Sequence, residues 1–336
     1  MNRLAEILDC TLRDGGYCND WNFGKQNIFQ IINALSQAQI NNIELGILSN
    51  SIKESYGRTV FTNIYEPLKY LQNNNHMIPF FLMNYGDYYL HDFIQLPTET
   101  SISIRIAFHK LDWKFALDLC YGIKEKGYRV YPQPMATNLY SEKEILNMLS
   151  KFNQLHPDGM YIVDSFGSMS TEETNKLYRI YNSQLSDDIV VGFHPHNNIM
   201  LALANSLSFI NQKDNRKKML DATIGGIGRG AGNLCLETIM PYLDYDNYSL
   251  LSVFGVIDKV IKPIYNQRPW GYSIPYYISG LKCCHPNYAK YLITNPALSY
   301  TDMYNIICRI PKEKREVYDE EFIKKICKSH LASQTN

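Results

Sequence analysis

The sequence predicts an α/β protein, a (β/α)8 TIM barrel carrying a C-terminal helical extension. Three observations predict it. Short apolar runs rich in Ile, Val and Leu alternate with helical patterns from the N-terminus onward. The alternation repeats eight times in about 240 residues, the usual size of such a barrel. Polar and ionisable residues cluster where the apolar runs end, which is where barrels carry their chemistry. A doubly wound sheet is the competing architecture, but eight evenly spaced units favour closure.

Each element has its own signal. The first strand is expected from Glu6 to Thr11, followed by a helix from Lys25 to Ala38 with Ile28, Ile31, Ile32 and Leu35 at helical spacing. Further strands are expected at Asn42–Gly46, Ile78–Met83, Ser101–Ala107, Tyr128–Gln133 and Gly159–Asp164. A helix from Asp112 to Lys126 stops at Gly127, a C-cap signal. Ser170-Thr171-Glu172-Glu173 opens another with N-cap chemistry. The apolar run Ile189-Val190-Val191 leads into the seventh strand, and Lys218–Thr223 forms the eighth. The barrel is expected over residues 1–245. Residues 246–336 show no further strand–helix alternation. They are expected to be a helical extension, with helices at Leu250–Val260 and Phe322–Leu331 around a Pro- and aromatic-rich segment, Arg268 to Tyr277. A lid or a homodimer interface is its expected role.

Composition narrows the function. Of 336 residues, 45% are hydrophobic, enough for a sizeable core. Lys+Arg and Asp+Glu both number 33, and this balance argues against nucleic acid or an anionic membrane as the main partner. The eight cysteines form no CxxC pair or disulfide framework, which favours a reducing cytoplasm. No run approaches the ~20 apolar residues that span a bilayer.

The stretch Gly192-Phe193-His194-Pro195-His196-Asn197-Asn198 organises the rest. Residues two apart on a strand share a face, so His194 and His196 project together. Two imidazoles there form half of a metal site, or else a pair of surface histidines at a strand end. The first turn reads Asp9-Cys10-Thr11-Leu12-Arg13-Asp14-Gly15-Gly16-Tyr17. Asp14 would complete a two-histidine, one-carboxylate face with positions left open. That donor set suits an octahedral divalent ion, Mn²⁺ or Mg²⁺, better than Zn²⁺. Arg13 beside it offers a fork for a carboxylate or enolate oxygen. Other polar groups at strand ends are Asp9, Glu44, Asn84, Arg105, His109, Thr137, Asp164 and Asn233. Several of these could instead cap helices or fill barrel layers. The last turn, Gly225 to Asn233, holds five glycines and reads either as a phosphate cradle or as a tight loop that positions Asn233.

Leu8–Gly15, Gly192–Asn198 and Gly228–Asn233, in this order, resemble the metal-dependent lyase and aldolase superfamily that includes hydroxymethylglutaryl-CoA lyase and isopropylmalate synthase. The likeness is greatest to the 4-hydroxy-2-oxovalerate aldolases. Ile104–His109, Tyr161–Ser165 and Ala202–Ser206 extend it over roughly residues 5 to 240. The resemblance implies Asp14, His194 and His196 as metal ligands, with Asn233 at or beside the ion. It implies Arg13 as the group that steadies an enolate oxygen. Arg105, Asp164 and Thr137 are carried as substrate-side residues. A 4-hydroxy-2-oxo acid is the implied substrate, cleaved without a lysine Schiff base. One position departs from the pattern. Aldolases of this family carry a histidine three residues after the metal aspartate, as base on the substrate hydroxyl, and here that position is Tyr17. An ordinary tyrosine pKa of ~10 is high for that task. Either the metal and Arg13 lower it, or Glu44, a metal-bound water or His285 acts instead. The tail shows no resemblance to the segment that docks an aldehyde dehydrogenase, so no channelling partner is assumed. A Claisen-type acyl-CoA lyase or synthase and a non-catalytic sugar- or nucleotide-binding barrel are the alternatives.

Overall fold

The computed structural model describes residues 5–243 and 247–332, leaving aside the side chains of residues 247 and 248. Eight strands form the barrel: β1 Glu6–Asp9, β2 Asn42–Leu48, β3 Ile78–Asn84 and β4 Ser103–Phe108, then β5 Arg129–Pro134, β6 Gly159–Asp164, β7 Val190–Pro195 and β8 Lys218–Ala222. All ladders are parallel, and their order around the sheet is β5-β4-β3-β2-β1-β8-β7-β6. At the remaining seam the Asp158 N–H donates to the Val130 carbonyl at 3.1 Å. The Asp158 carboxylate accepts the Val130 N–H at 2.9 Å. The result is a nearly closed (β/α)8 TIM barrel. Helices such as Trp113–Glu125, Glu142–Leu155 and Thr171–Gln184 wrap it and bury their apolar stripes against its outer face.

Large side chains plug the interior. Leu8, Phe80, Tyr131, Tyr161 and Met219 form one buried cluster from five strands. Gly192 makes room for it, since a Cβ there would lie 2.4 Å from the Tyr161 ring. This packed floor leaves only the upper rim for chemistry.

Most strand boundaries shift by one or two residues from expectation, and two of the shifts have a visible cause. β1 ends at Asp9, not at Thr11, because the Asp9 carboxylate accepts both the Thr11 N–H (3.0 Å) and its hydroxyl (2.8 Å). That bond turns Thr11–Asp14 into a single helical turn. β2 runs past Gly46 to Leu48, because the missing Cβ admits the Thr59 carbonyl, which accepts the Ile47 N–H at 3.0 Å.

The tail holds more helix than expected. Asn247–Val256 continues through a π turn, Ile257–Ile261, into Lys262–Gln267. Ile274–Leu281, Pro286–Ile293, Tyr300–Cys308 and Glu320–Ala332 follow. Pro275 and Pro286 sit in first turns, where a missing N–H costs nothing. Ser273 caps the first of these helices by accepting the Tyr276 N–H. The expected boundary between residues 245 and 246 lies outside the described residues. Val253, Val256, Val260 and Ile261 join the barrel's outer core, whereas Ile278, Tyr288, Leu292, Ile306 and Ile323 share a separate one.

The second cluster sits over the strands' C-terminal ends. The Gly271 N–H donates to the Gly230 carbonyl at 3.2 Å, and Asn198 Nδ2 to the Tyr276 carbonyl at 3.2 Å. The His109 ring, after β4, pairs with Glu316 at 2.9 Å. No described helix is long and apolar enough to cross a membrane.

Candidate metal centre

The helical turn after β1 aims Asp14 across the top of the barrel, and β7 delivers His194 to the same point. His196 lies one residue beyond β7 and is held by a backbone bridge to Asn233. Both Nε2 atoms face one carboxylate oxygen, with Asp14 Oδ2 3.8 Å from His194 and 3.6 Å from His196. Ligand atoms about 2.1 Å from an octahedral ion stand about 3 Å apart, so a small contraction would close the set.

Each imidazole is oriented from behind. His194 Nδ1 donates to the Asp221 carboxylate at 2.7 Å, and His196 Nδ1 donates to the Asp164 carbonyl at 2.9 Å. With Nδ1 protonated, each neutral ring presents the Nε2 lone pair to the site, the arrangement of metal-ligating histidines. Asn233 completes the rim. Its Nδ2 donates to Asp14 Oδ2 at 2.6 Å and to the Ile227 carbonyl at 3.0 Å, while its buried Oδ1 has no protein partner. A buried oxygen left unpaired is costly unless something else engages it.

Beneath this rim lies a dry layer of charge. Glu44, fully buried, accepts from Arg13 Nε at 2.6 Å and from Arg105 Nη1 at 2.8 Å. Arg13 Nη1 also meets Asp14 Oδ1 at 2.5 Å, and Arg105 Nη2 donates to Asp221. Asp14, Glu44 and Asp221 thus share two guanidiniums, and Asp9 nearby bonds only Thr11. Burial pushes the Asp9 carboxyl up to about 7, so it can hold a proton near neutrality. Even then the layer carries excess negative charge, which a divalent cation would offset. Burial opposes ionisation of Asp14, but Arg13 and the two histidines outweigh it and hold the carboxyl well below its usual range. Burial pulls the His194 pKa down despite Asp221, keeping the ring in the neutral form a metal needs.

A second cluster, Cys10, His194 and Asp221, also lies within reach of one ion. Burial, reinforced by Asp221 and Glu44, keeps the Cys10 thiol protonated, and Arg105 already occupies Asp221. The Asp14–His194–His196 group, with the unpaired Asn233 oxygen beside it, is the set that fits.

The profile of the HMGL-like family matches residues 5–249. The chain belongs to the HMGL-like family. The 4-hydroxy-2-oxovalerate aldolase of Brevibacillus brevis is 24% identical over 275 residues, 79% of this chain and 78% of that one. The enzyme of the same name from Thermomicrobium roseum is 26% identical over 272 residues, 78% of this chain and 74% of that one. Among solved structures, the N-terminal domain of a protein described as an aldolase from Bacteroides vulgatus superposes with a TM-score of 0.77 at 28% identity. It covers 89% of this chain and 99% of that one. The carboxyl transferase domain of Rhizobium etli pyruvate carboxylase, solved with pyruvate, shares the fold at 13% identity. Its TM-score is 0.70, over 98% of this chain and 61% of that one.

Not every expected site residue of this HMGL-like chain faces the rim. Arg105 is fully buried under the centre, its guanidinium 4.5 Å from the Tyr161 ring centroid. Thr137 is fully buried too, donating to the Pro134 carbonyl and accepting the Val163 N–H. The Asp164 carboxylate accepts the Ser168 and Met169 N–H groups and so shapes the turn after β6, while its carbonyl steadies His196. Glu44 is locked between two arginines and has no free oxygen with which to act as a base. Tyr17 does reach the upper rim, packed edge-on against Trp21 at 4.8 Å, and no hydrogen bond engages its hydroxyl among the described residues. His285 arrives from the tail between Phe166 and Tyr318, with Nδ1 accepting the Asn287 N–H.

Asp221 was not foreseen as the partner of His194. Its position in β8 two residues before Thr223 puts it on the barrel-facing side, the one signal available in the sequence. The roof formed by residues 271–288 had no signal, since it depends on how the tail folds back.

Proposed function

We propose that this HMGL-like chain is a divalent-metal-dependent aldolase that cleaves or forms the C3–C4 bond of a 4-hydroxy-2-oxo acid, with pyruvate as the enolate half. Membership of the family and the relatives named as aldolases support a carbon–carbon lyase. The observation that carries the metal reading is the convergence of the His194 and His196 Nε2 atoms on Asp14 Oδ2, with both Nδ1 atoms already bonded.

When bound, Mn²⁺ or Mg²⁺ would supply a Lewis acid at the keto oxygen. The chain's own residues do the rest. In the cleavage direction the 4-hydroxyl loses its proton, the C3–C4 pair moves into the enolate, and the aldehyde departs. Arg13 is the group for the developing negative oxygen. Its Nε is committed to Glu44 and its Nη1 to Asp14, which leaves Nη2 for substrate. Carboxylates on two sides fix that guanidinium before substrate arrives, and preorganised donors of this kind are the larger part of such stabilisation. Tyr17, three residues after Asp14 and with no hydrogen bond on its hydroxyl among the described residues, would take the hydroxyl proton as its phenolate. Trp21, Ile47, Leu82 and Ala107 wall that side with apolar surface, which keeps water from the enolate.

Deuterium exchange into the pyruvate methyl group tests this without knowledge of the aldehyde. Exchange that needs Mn²⁺ or Mg²⁺ and disappears in Asp14→Asn supports the reading. Exchange absent with pyruvate and present only with an acyl-CoA would replace it by the Claisen-type alternative.

A further inference from the structure

Arg229 is a half-buried cation that forms no ion pair among the described residues. It follows Gly228, where a Cβ would stand 3.3 Å from Asp14 Oδ2, so the glycine-rich turn carries it directly alongside the metal ligands. Its guanidinium lies 5.1 Å from the Tyr17 ring centroid. Among the described residues it forms no ion pair, and its Nε is buried with no hydrogen-bond partner. The next residue, Gly230, packs against Tyr276 and Pro286 of the tail, which places Arg229 at the edge of the roof. Its field is felt there: after burial, Arg229 is the largest influence that holds His285 neutral, pushed down to about 2.

An Nε–H that is out of water and unpaired is costly, and an anion on the guanidinium would complete it. Every other arginine near the centre shows the contrast. Arg13 meets two carboxylates and Arg105 meets two. The aromatic face of Tyr17 orients the Arg229 fork but leaves its N–H groups unspent. Arg229 is also distinct from the groups that would hold a pyruvate moiety, because Arg13 and the Asp14–His194–His196 set serve that end.

We infer that Arg229 binds an anionic oxygen group on the aldehyde half, so that the substrate is a 4-hydroxy-2-oxo acid carrying a second carboxylate or a phosphate beyond C4. This deepens the proposed aldolase reading and rests on it. Tyr17, whose ring faces the guanidinium, and Tyr276, packed on Gly230, border that subsite. The fork would bind a carboxylate or a phosphate through two parallel N–H bonds.

The test pairs pyruvate with three acceptors in the metal-loaded enzyme: propionaldehyde, succinic semialdehyde and glyceraldehyde 3-phosphate. The wild type is expected to favour one charged acceptor over propionaldehyde by about 10- to 100-fold in kcat/KM, the usual range for a charge-assisted pair. The favoured one tells carboxylate from phosphate. Arg229→Met should collapse that ratio, and Arg229→Lys should restore part of it. A wild type that does not prefer either charged acceptor, or a preference that survives in Arg229→Met, would overturn the inference. Calorimetric binding of 2-oxoglutarate against pyruvate gives a readout free of turnover. Arg229→Met should weaken 2-oxoglutarate by about tenfold or more and pyruvate by much less. Equal binding of 2-oxoglutarate by both proteins also overturns it. Metal-dependent deuterium exchange into pyruvate, which involves no aldehyde, separates the two failures: exchange without an anion preference removes only the Arg229 subsite.

Discussion

The Asp221 carboxylate accepts a hydrogen bond from His194 Nδ1 at 2.7 Å while also receiving Arg105 Nη2. One side chain in β8 therefore sets the tautomer of a candidate metal ligand in β7 and neutralises a buried arginine from β4. The metal centre and the charged layer beneath it are one construction.

Asp221→Asn should separate those two roles. Loss of the partner that orients a metal-ligating histidine usually costs 10- to 100-fold in affinity. Titration of the purified variant with Mn²⁺ should show a loss of about that size. Thermal unfolding of the metal-free protein should show a drop as well, because Arg105 keeps only Glu44 as its charged partner. Unchanged Mn²⁺ affinity would remove Asp221 from the metal's support.

Glu44→Gln is expected to act on stability and not on the pH profile. Both oxygens are engaged by Arg13 and Arg105 and no water-accessible surface remains. Breaking one side of a buried charged network costs on the order of 3–5 kcal/mol, readable as a lower denaturation midpoint. If Glu44→Gln instead unfolded normally and lost the acidic limb of the pH–rate profile, the base would have to be Glu44.

Gly192→Ala should destabilise the fold although it lies two residues before a ligand. The new methyl would stand 2.4 Å from the Tyr161 ring, which is packed between β6 and its neighbours and cannot retreat. Overpacking of this kind costs about 1–3 kcal/mol. Chemical unfolding of the variant would measure it.

The pH dependence of stability follows from Asp9. Its folded pKa, about 7, stands above its ordinary value of 3.8, so the folded state favours the protonated form. The associated stability is fully present below the ordinary value and is lost as the pH rises through about 7. Asp164, pushed up to about 6 by burial, adds in the same direction. Asp14 and Asp221 work oppositely, since their depressed folded pKa values give stability that disappears only as the pH falls through the acid range. Metal-free Asp9→Asn should therefore lose less stability than wild type between pH 4 and pH 7, measured by urea unfolding at a series of pH values.

The barrel was legible because each strand carries its own apolar run, and the pairing of His194 with His196 was legible because spacing alone puts them on one face. Asp14 followed from the need for a carboxylate at a strand end. Burial was harder to read. Arg105 and Thr137 read from the sequence like rim residues, yet both are fully buried, Arg105 over the Tyr161 ring and Thr137 between the Pro134 carbonyl and the Val163 N–H. Whether a polar residue faces the rim or the layer beneath depends on strand tilt, which no local pattern encodes. The helices at Ile274–Leu281 and Pro286–Ile293 were hidden because proline reads as a breaker, whereas here it occupies the first turn.

Manganese binding followed by electron paramagnetic resonance addresses the metal centre most directly. Wild-type protein should take up one Mn²⁺ per chain, and Asp14→Asn or His196→Ala should weaken that binding by at least about 100-fold while the fold persists by circular dichroism. Stoichiometric Mn²⁺ retained with wild-type affinity in both variants would contradict the assignment of Asp14, His194 and His196 as the ligands.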